Sequence, residues 1–318
     1  MNLIINAIEE GLLFSIVSMG VYITYKILDF PDLSVDGTYP LGAAITAVLL
    51  VNGVNPWLTI IISSAGGAIA GWITAFLHVK LKISNLMSGI LVMIALYSVN
   101  LRVMGKSNMP LFSTNTIFKN ADFQPIFIII IIVVICKIII DTFLKTKRGF
   151  LLMAVGDNEQ VVSSLGINKN SVKVLGLMLS NGLVGMAGAI QAQKYGYADV
   201  NMGQGIVVMG LATVVIGLTI FSKISFMKCT TISILGAIIY KVAIAIALKI
   251  NFNPNDLKLI TAIIVIIALA SNNGIFKFKN KKNKERRRRK CWKLKMYIRF
   301  LMQIPLMKIE YLMDFLFK

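Results

Sequence analysis

KTKRGFLLMAVGDNEQVVSSLGINKNSVK, residues 145–173, is the longest polar interval in a chain of otherwise apolar blocks. It contains a short helix signal with its own start and stop. The Asp157 carboxylate can accept from free backbone N–H groups, and Gln160, three residues on, completes a capping box. Gly166 can take the left-handed conformation that ends a helix. Between them Val161, Val162 and Leu165 make one small apolar face. Spacing alone leaves two readings open: an ordinary amphipathic loop helix, or a helix that docks on another protein.

The flanks of this interval set the fold class. The chain has 318 residues, 57% of them apolar, with mean hydropathy +0.77. A soluble domain is about 45–50% apolar, and a membrane span needs about 20 mostly apolar residues. Such blocks lie near 5–28, 39–52, 56–78, 84–104, 125–144, 173–195, 205–221, 229–249 and 258–271. The expectation is an all-α, polytopic membrane protein with about eight or nine spans. Nine spans put the two termini on opposite sides. No basic start precedes the first block, so no removable leader is expected. The stretch DFPDLSVDGTYPLG, residues 29–42, breaks the apolar signal. It reads either as irregular backbone lining a cavity or as an interfacial turn.

Charge is unevenly placed. Residues 277–318 carry net +12 and residues 1–276 net +7, so the basicity belongs largely to the tail. We therefore divide the chain into a membrane domain, 1–276, and a basic tail, 277–318. Beside a span, a run such as KKNKERRRRK keeps its end cytoplasmic, and no nucleic-acid partner is expected. With the 145–173 loop inside, the inner loops hold 9 Lys/Arg and the outer loops 6, tail excluded. The inner loop 29–37 disagrees, since it holds acids and no bases; acids weigh little in this rule. Small residues, Gly67 with Gly71 and the cluster Gly182, Gly185, Ala187, Gly188, mark close helix packing. A weak repeat relates Gly42, Gly67-Ala68-Ile69 and 90–96 to Gly210, Gly236-Ala237-Ile238 and 263–269. The matching spans run in opposite directions, as in the inverted repeats of transporters.

No catalytic set is visible, and no cofactor or metal is expected. Cys136, Cys229 and Cys291 stand far apart, and the single histidine, His78, ends an apolar block as an interface residue. Gly105-Lys106-Ser107 resembles the end of a phosphate loop, but Asn100 stands where that loop needs glycine, so the chain holds no nucleotide site. Lys137 and Lys241 lie deepest in the spans and read as snorkelling side chains. Asp141 and Asp199 lie too near the ends for a proton relay. Uncharged polar groups within or beside the apolar segments mark a solute path: Asn85, Ser88, Gly89, Tyr97, Asn100, Asn181 and Gly182, with Asp36 and Gly37 at the early break. Interhelical hydrogen bonding is the competing role for each.

These residues resemble permease subunits of bacterial ABC importers, in the group with the branched-chain amino acid and ribose permeases. The likeness covers roughly residues 1–276. It rests on SMGVYITYKILDFPDLSVDGTYPLGAA and on Thr146, Arg148, Gly149, Ala154, Val155, Gly156, Asp157, Asn158, Gly166, Ile167 and Asn168. In the family the second segment is a cytoplasmic coupling helix that docks on the ATPase. Met153 stands where many relatives carry a basic residue, and residues 161–164 replace a run of alanines. VDGTYPLGAA and LMSGILVMIALYSVNLRVMGKSNMPLF resemble a subgroup linked to uptake of aromatic amino acids, tryptophan or tyrosine, or of other small solutes. The resemblance implies a separate ABC ATPase, an extracellular substrate-binding lipoprotein, a second permease copy and no enzymatic activity in this chain. It places the protein in the bacterial cell membrane, with an amino acid as solute and a sugar or nucleoside as the neighbouring option. A gradient-driven carrier is the alternative from another class. From about Cys291 the tail departs from the family. It is either a basic amphipathic helix on the inner leaflet or the product of a frameshift into the start of an ATPase gene.

Overall fold

A computed structural model of the chain describes residues 2–119, 124–164, 166–221, 227–249, and 262, 263 and 266. The ninth apolar block, near 258–271, and the tail 277–318 lie almost wholly outside the described residues.

Caps and breakers divide the chain into helices. The first helix, α1 (Asn2–Val21), widens into a π-turn, Tyr22–Ile27, and the two form one span, Ile4–Ile27. The chain then turns sharply: Leu28 N–H donates to Ile23 O at 3.0 Å and Phe30 N–H to Thr24 O at 2.9 Å. Asp29 takes a positive φ of 53°, a conformation aspartate tolerates better than most residues. Helix α2 (Val35–Val51) follows after residues 28–34. The polar break is therefore shorter than 29–42, because residues from Val35 onward are already helical.

Helix α3 (Pro56–Val79) starts with proline at its first turn, and the Asn55 side chain accepts from Trp57 N–H. Helix α4 (Asn85–Met104) is capped by Ser84 and closed by Gly105 at φ 68°. Helix α5 (Pro125–Leu144) leads into α6 (Lys147–Asp157) and α7 (Glu159–Ser164). Helix α8 (Lys169–Tyr195), capped by Asn168, ends at Gly196, φ 74°. Helices α9 (Ile206–Phe221) and α10 (Cys229–Lys249) complete the described bundle. One small ribbon, β1 (Asn108–Pro110) antiparallel to β2 (Tyr197–Asp199), sets Met109 opposite Ala198.

Seven described spans are long and apolar enough to cross a membrane, and α2 is a shorter eighth apolar helix. Large apolar side chains such as Ile131, Ile138 and Ile139 on α5 and Ile61 and Ile69 on α3 face outward. The core sits between α1, α2, α3, α8, α9 and α10, where small residues let backbones touch. A Cβ at Gly67 or Gly71 would collide with the α8 backbone, and one at Gly42 with Gly185. Apolar burial gives no drive between helices in lipid, so such close packing and interhelical hydrogen bonds hold the bundle.

The ends of the bundle are chemically sorted. At one end lie α6, α7, His78, Lys173, Asp141 and Lys228; Lys228 pairs with Asp141 at 2.9 Å. At the other, Glu9 pairs with Lys194 at 2.8 Å and Glu10 with Lys241 at 3.2 Å, while Gln193 donates to Pro56 O at 3.0 Å. These contacts make α1, α2 and α3 run opposite to α8, α9 and α10, respectively.

The two triplets also exchange partners. Helix α3 packs on α8, and α10 packs on α1. Thr38 of α2 donates to Asn181 of α8, and Thr213 of α9 donates to Ser18 of α1. Ser64 of α3 donates to Gly182 O of α8, and Ser18 of α1 donates to Ser233 O of α10. This reciprocity is the geometry of an inverted repeat.

Candidate functional site

The 145–173 interval folds as two helices set into the end of the bundle. Thr146 caps α6 by accepting from Gly149 N–H at 3.2 Å. Asp157 is the last residue of this helix, so its backbone is already helical and it cannot cap the next one. The cap of α7 is Asn158, whose side chain accepts from Gln160 N–H at 3.0 Å. The expected start was thus one residue early. Gly166 ends the segment as expected, with φ 70°, and Ile167 N–H reaches back to Val162 O at 3.3 Å. Val162 is buried, whereas Leu165 and the Val161 side chain lie outside the described residues.

The glycines explain how closely α6 is seated. Gly149 lies on the backbone of Phe143 and Leu144, and Gly156 on that of Ile27 and Leu28. Leu152 and Val155 are buried in the same seam, and Gly176 of α8 leaves room for Leu28 and Leu152. Ala154 is half-buried, and Arg148, Asp157, Asn158 and Gly166 are exposed. Gly149 and Gly156 therefore fix the segment to the bundle, and the exposed residues form its outer rim.

A charged cluster holds α7. Lys173 meets Glu159 Oε1 at 2.5 Å and Lys169 meets Oε2 at 2.9 Å. Burial pushes the Glu159 carboxyl up, but hydrogen bonds and charge from Lys173 and Lys169 outweigh it and hold the group below its ordinary value. Lys173 Nζ also lies 3.4 Å from His78 Nε2, while His78 Nδ1 bonds Ile83 O at 2.8 Å. His78 is thus an end-of-helix tie.

The 29–37 stretch is only partly at the surface: Asp29 and Pro31 are exposed, but its other acids turn inward. Asp32 is 4% exposed and Ser34 fully buried. Asp32 Oδ1 accepts from Ser34 N–H at 2.9 Å and from Ser34 Oγ–H at 2.6 Å. Asp32 Oδ2 accepts from Asn181 Nδ2 at 2.7 Å, and Asn181 Oδ1 accepts from Thr38 Oγ1 at 2.7 Å. The break at 29–42 reads in sequence as cavity-lining backbone or an interfacial turn, and neither reading singles out Asp32 as a buried carboxylate. The signal available was Asp-x-Ser, a local side-chain turn that needs no water.

Asp36 and Gly37 lie on α2. Asp36 spans the start of α9, accepting from Val207 N–H at 2.8 Å and Gly205 N–H at 3.1 Å. A carboxylate is favoured at a helix N-terminus. Pro40 lacks the N–H that would bind the Asp36 carbonyl, and Gly203 packs against that carbonyl. Gly37 O accepts from Asn100 Nδ2 at 3.2 Å, and Gly89 packs against Leu33 N. Asp36, Gly37, Gly89, Asn100 and Asn181 thus gather around the start of α2, whereas Gly182 faces Ser64 and Ala68 of α3. Ser88, bonded to Asn85 O, sits on the first turn of α4, and Tyr97 points outward, 49% exposed. Lys137 and Lys241 do not end free at an interface: Lys137 pairs with Asp141 at 3.3 Å and Lys241 with Glu10.

A helical bundle with seven apolar spans among the described residues is that of a multi-pass membrane protein. The chain matches the family described as branched-chain amino acid transport system / permease component over residues 3–270, and it belongs to that family. It is 52% identical, over 77% of this chain and 82% of the relative, to a protein named tyrosine transport system permease protein from Clostridioides difficile (strain R20291). It is 36% identical to an uncharacterized protein of Rickettsia prowazekii (strain Madrid E), over 70% of this chain and 79% of the relative. It is 25% identical to a nucleoside ABC transporter permease protein of Lactococcus lactis, over 51% of this chain and 58% of the relative. No solved structure matches the chain.

Proposed function

We propose that the chain is the membrane subunit of an ATP-driven importer in the bacterial cell membrane, carrying an amino acid and most readily tyrosine or a related aromatic. The observation that carries this reading is the 52% identity to a tyrosine transport permease. The seated α6–α7 unit adds support, because it is a rigid knob with a polar rim. Arg148, Asp157, Asn158, Gly166 and Ile167 meet the ATPase subunit, while Gly149, Ala154 and Gly156 hold the knob in place. ATP hydrolysis belongs to that separate chain. An extracellular binding lipoprotein delivers the solute, and a second copy of this permease completes the path. Asp36, Gly37, Gly89, Asn100 and Asn181 border the path at the start of α2, with Gly182 beside Asn181 on α8. Asn85 and Ser88 extend it along α4, and Tyr97 faces away from it. Alternating access follows when the knob is pushed and the inverted halves rock.

The test is reconstitution. The permease is copurified with an ATPase encoded beside it and placed in vesicles with the binding protein. ATP-dependent uptake of labelled tyrosine, competed by other aromatics, is expected. Uptake driven by an ion gradient, in the permease alone, overturns the ATP-driven reading. Uptake competed only by nucleosides or sugars overturns the amino acid assignment.

A further inference from the structure

We propose that residues 28–34, in which Leu28, Phe30, Asp32 and Ser34 are buried, form a strap that carries displacement of α6 into α2, and that Asp32 is the positioning residue that makes this strap stiff. The inference rests on the ATP-driven reading above.

The strap touches the coupling segment at one end and the centre of the bundle at the other. Its first contact is backbone on backbone: a Cβ at Gly156 would stand 2.7 Å from Ile27 C and 3.1 Å from Leu28 Cα. No side-chain rotation can loosen such a contact, so movement of α6 moves residues 27 and 28. Phe30 is buried, its ring edge-on to His78 with centroids 5.3 Å apart. The strap is therefore flanked by the end of α3 and cannot swing out. Asp32 then closes it. One oxygen holds the strap's own Ser34 and the other holds Asn181, near the middle of α8. Leu33 N lies against Gly89, where a Cβ would stand 2.7 Å away.

Beyond the strap, the two sides of α2 differ. On the α8 side, Thr38 reaches Asn181, and Gly42 and Tyr39 lie backbone to backbone with Gly185 and Gly188. On the α4 side, a Cβ at Gly37 would stand 3.1 Å from Met93 Cα, the hydrogen bond from Asn100 to Gly37 O is 3.2 Å long, and the buried Asn100 Oδ1 has no partner among the described residues. A buried acceptor without a donor is a weak point in low-dielectric surroundings. Helix α2 thus moves with α8 and parts from α4. The parting opens the region where Gly37, Gly89 and Asn100 meet. Without the Asp32 carboxylate, the strap yields locally, and the push on α6 dissipates before it reaches α2.

The experiment uses the permease–ATPase complex in vesicles and reads solute moved per ATP hydrolysed. In Asp32→Ala, the complex stays assembled and hydrolysis stays within about twofold of wild type, while uptake per ATP falls about tenfold. The exchange Asp32→Asn with Asn181→Asp keeps an amide facing a carboxylate and restores most of the ratio. A purely structural role predicts otherwise: assembly, hydrolysis and uptake fall together, and the ratio holds. That result, or an exchange variant no better than the single changes, overturns the proposal. If Asp32→Ala does not assemble, Ser34→Ala carries the same comparison with an intermediate loss, and an unchanged ratio there overturns the proposal. A wild-type permease that binds no ATPase overturns the ATP-driven reading first, and the strap proposal with it.

Discussion

Adding a single methyl group at Gly156 tests how the coupling segment is seated. In Gly156→Ala the new Cβ would overlap Ile27 O, its nearest neighbour, and lie 2.7 Å from Ile27 C and 3.1 Å from Leu28 Cα. Carbon atoms in good contact sit about 3.5–4.0 Å apart, so α6 must lift by at least about 1 Å. Both neighbours are backbone, so no rotamer change relieves the overlap. Overpacking of this kind costs about 1–3 kcal/mol, and it falls on the seam that buries Leu152 and Val155. The melting temperature in detergent should drop by about 2–10 °C. A misplacement of about 1 Å in a coupling element should lower ATP-driven uptake by about tenfold to a hundredfold. Gly53→Ala is the control, because Gly53 has φ 77° and no atom within 4 Å of an added Cβ. That change brings backbone strain of about 1–2 kcal/mol and should leave uptake per folded molecule unchanged. Wild-type melting and wild-type uptake in Gly156→Ala would refute the close seating of α6 and the role given to it.

Two further outcomes follow from the same contacts. Asn181→Ala removes partners from Asp32 and Thr38 in a buried setting; the loss of stability should be about 2–5 kcal/mol, read by thermal unfolding, and a change indistinguishable from zero contradicts the network. Glu159→Gln should destabilise the protein at neutral pH, because the native carboxyl is held below its ordinary value by Lys173 and Lys169. A depressed acid contributes stability above the unfolded value, about 4.3 for glutamate, and loses it as pH falls through the lower native value. Wild type and Glu159→Gln should therefore melt apart at pH 7 and converge in strong acid. A gap that is constant with pH contradicts the ion cluster.

The spans were legible because about 20 apolar residues in a row leave few alternatives to a membrane helix. The inverted repeat was legible at Gly67 and Gly236, and its three-dimensional sign is the exchange of α3–α8 against α10–α1. The loop between α5 and α8 was legible as an element but not in detail. Asp157 and Asn158 are both good caps, and only the upstream helix decides which of them is free to act. The largest difference lies at residues 29–37, which read in sequence as cavity-lining backbone or an interfacial turn. Asp32 and Asp36 bind Ser34, Asn181, Gly205 and Val207 instead, partners up to 171 residues away in sequence. Sequence spacing carries no trace of such contacts. The same blindness hid the carboxylates that meet Lys137 and Lys241, since Asp141 is near but Glu10 is not.

The side of the membrane on which α6 and α7 stand tests the central claim most directly. Ser163→Cys in a cysteine-free background is exposed on α7 and is suited to a membrane-impermeant maleimide. The account predicts no labelling in intact cells and full labelling once the inner face is opened. Labelling of intact cells would put the knob on the outer face, beyond reach of any ATPase, and would contradict it.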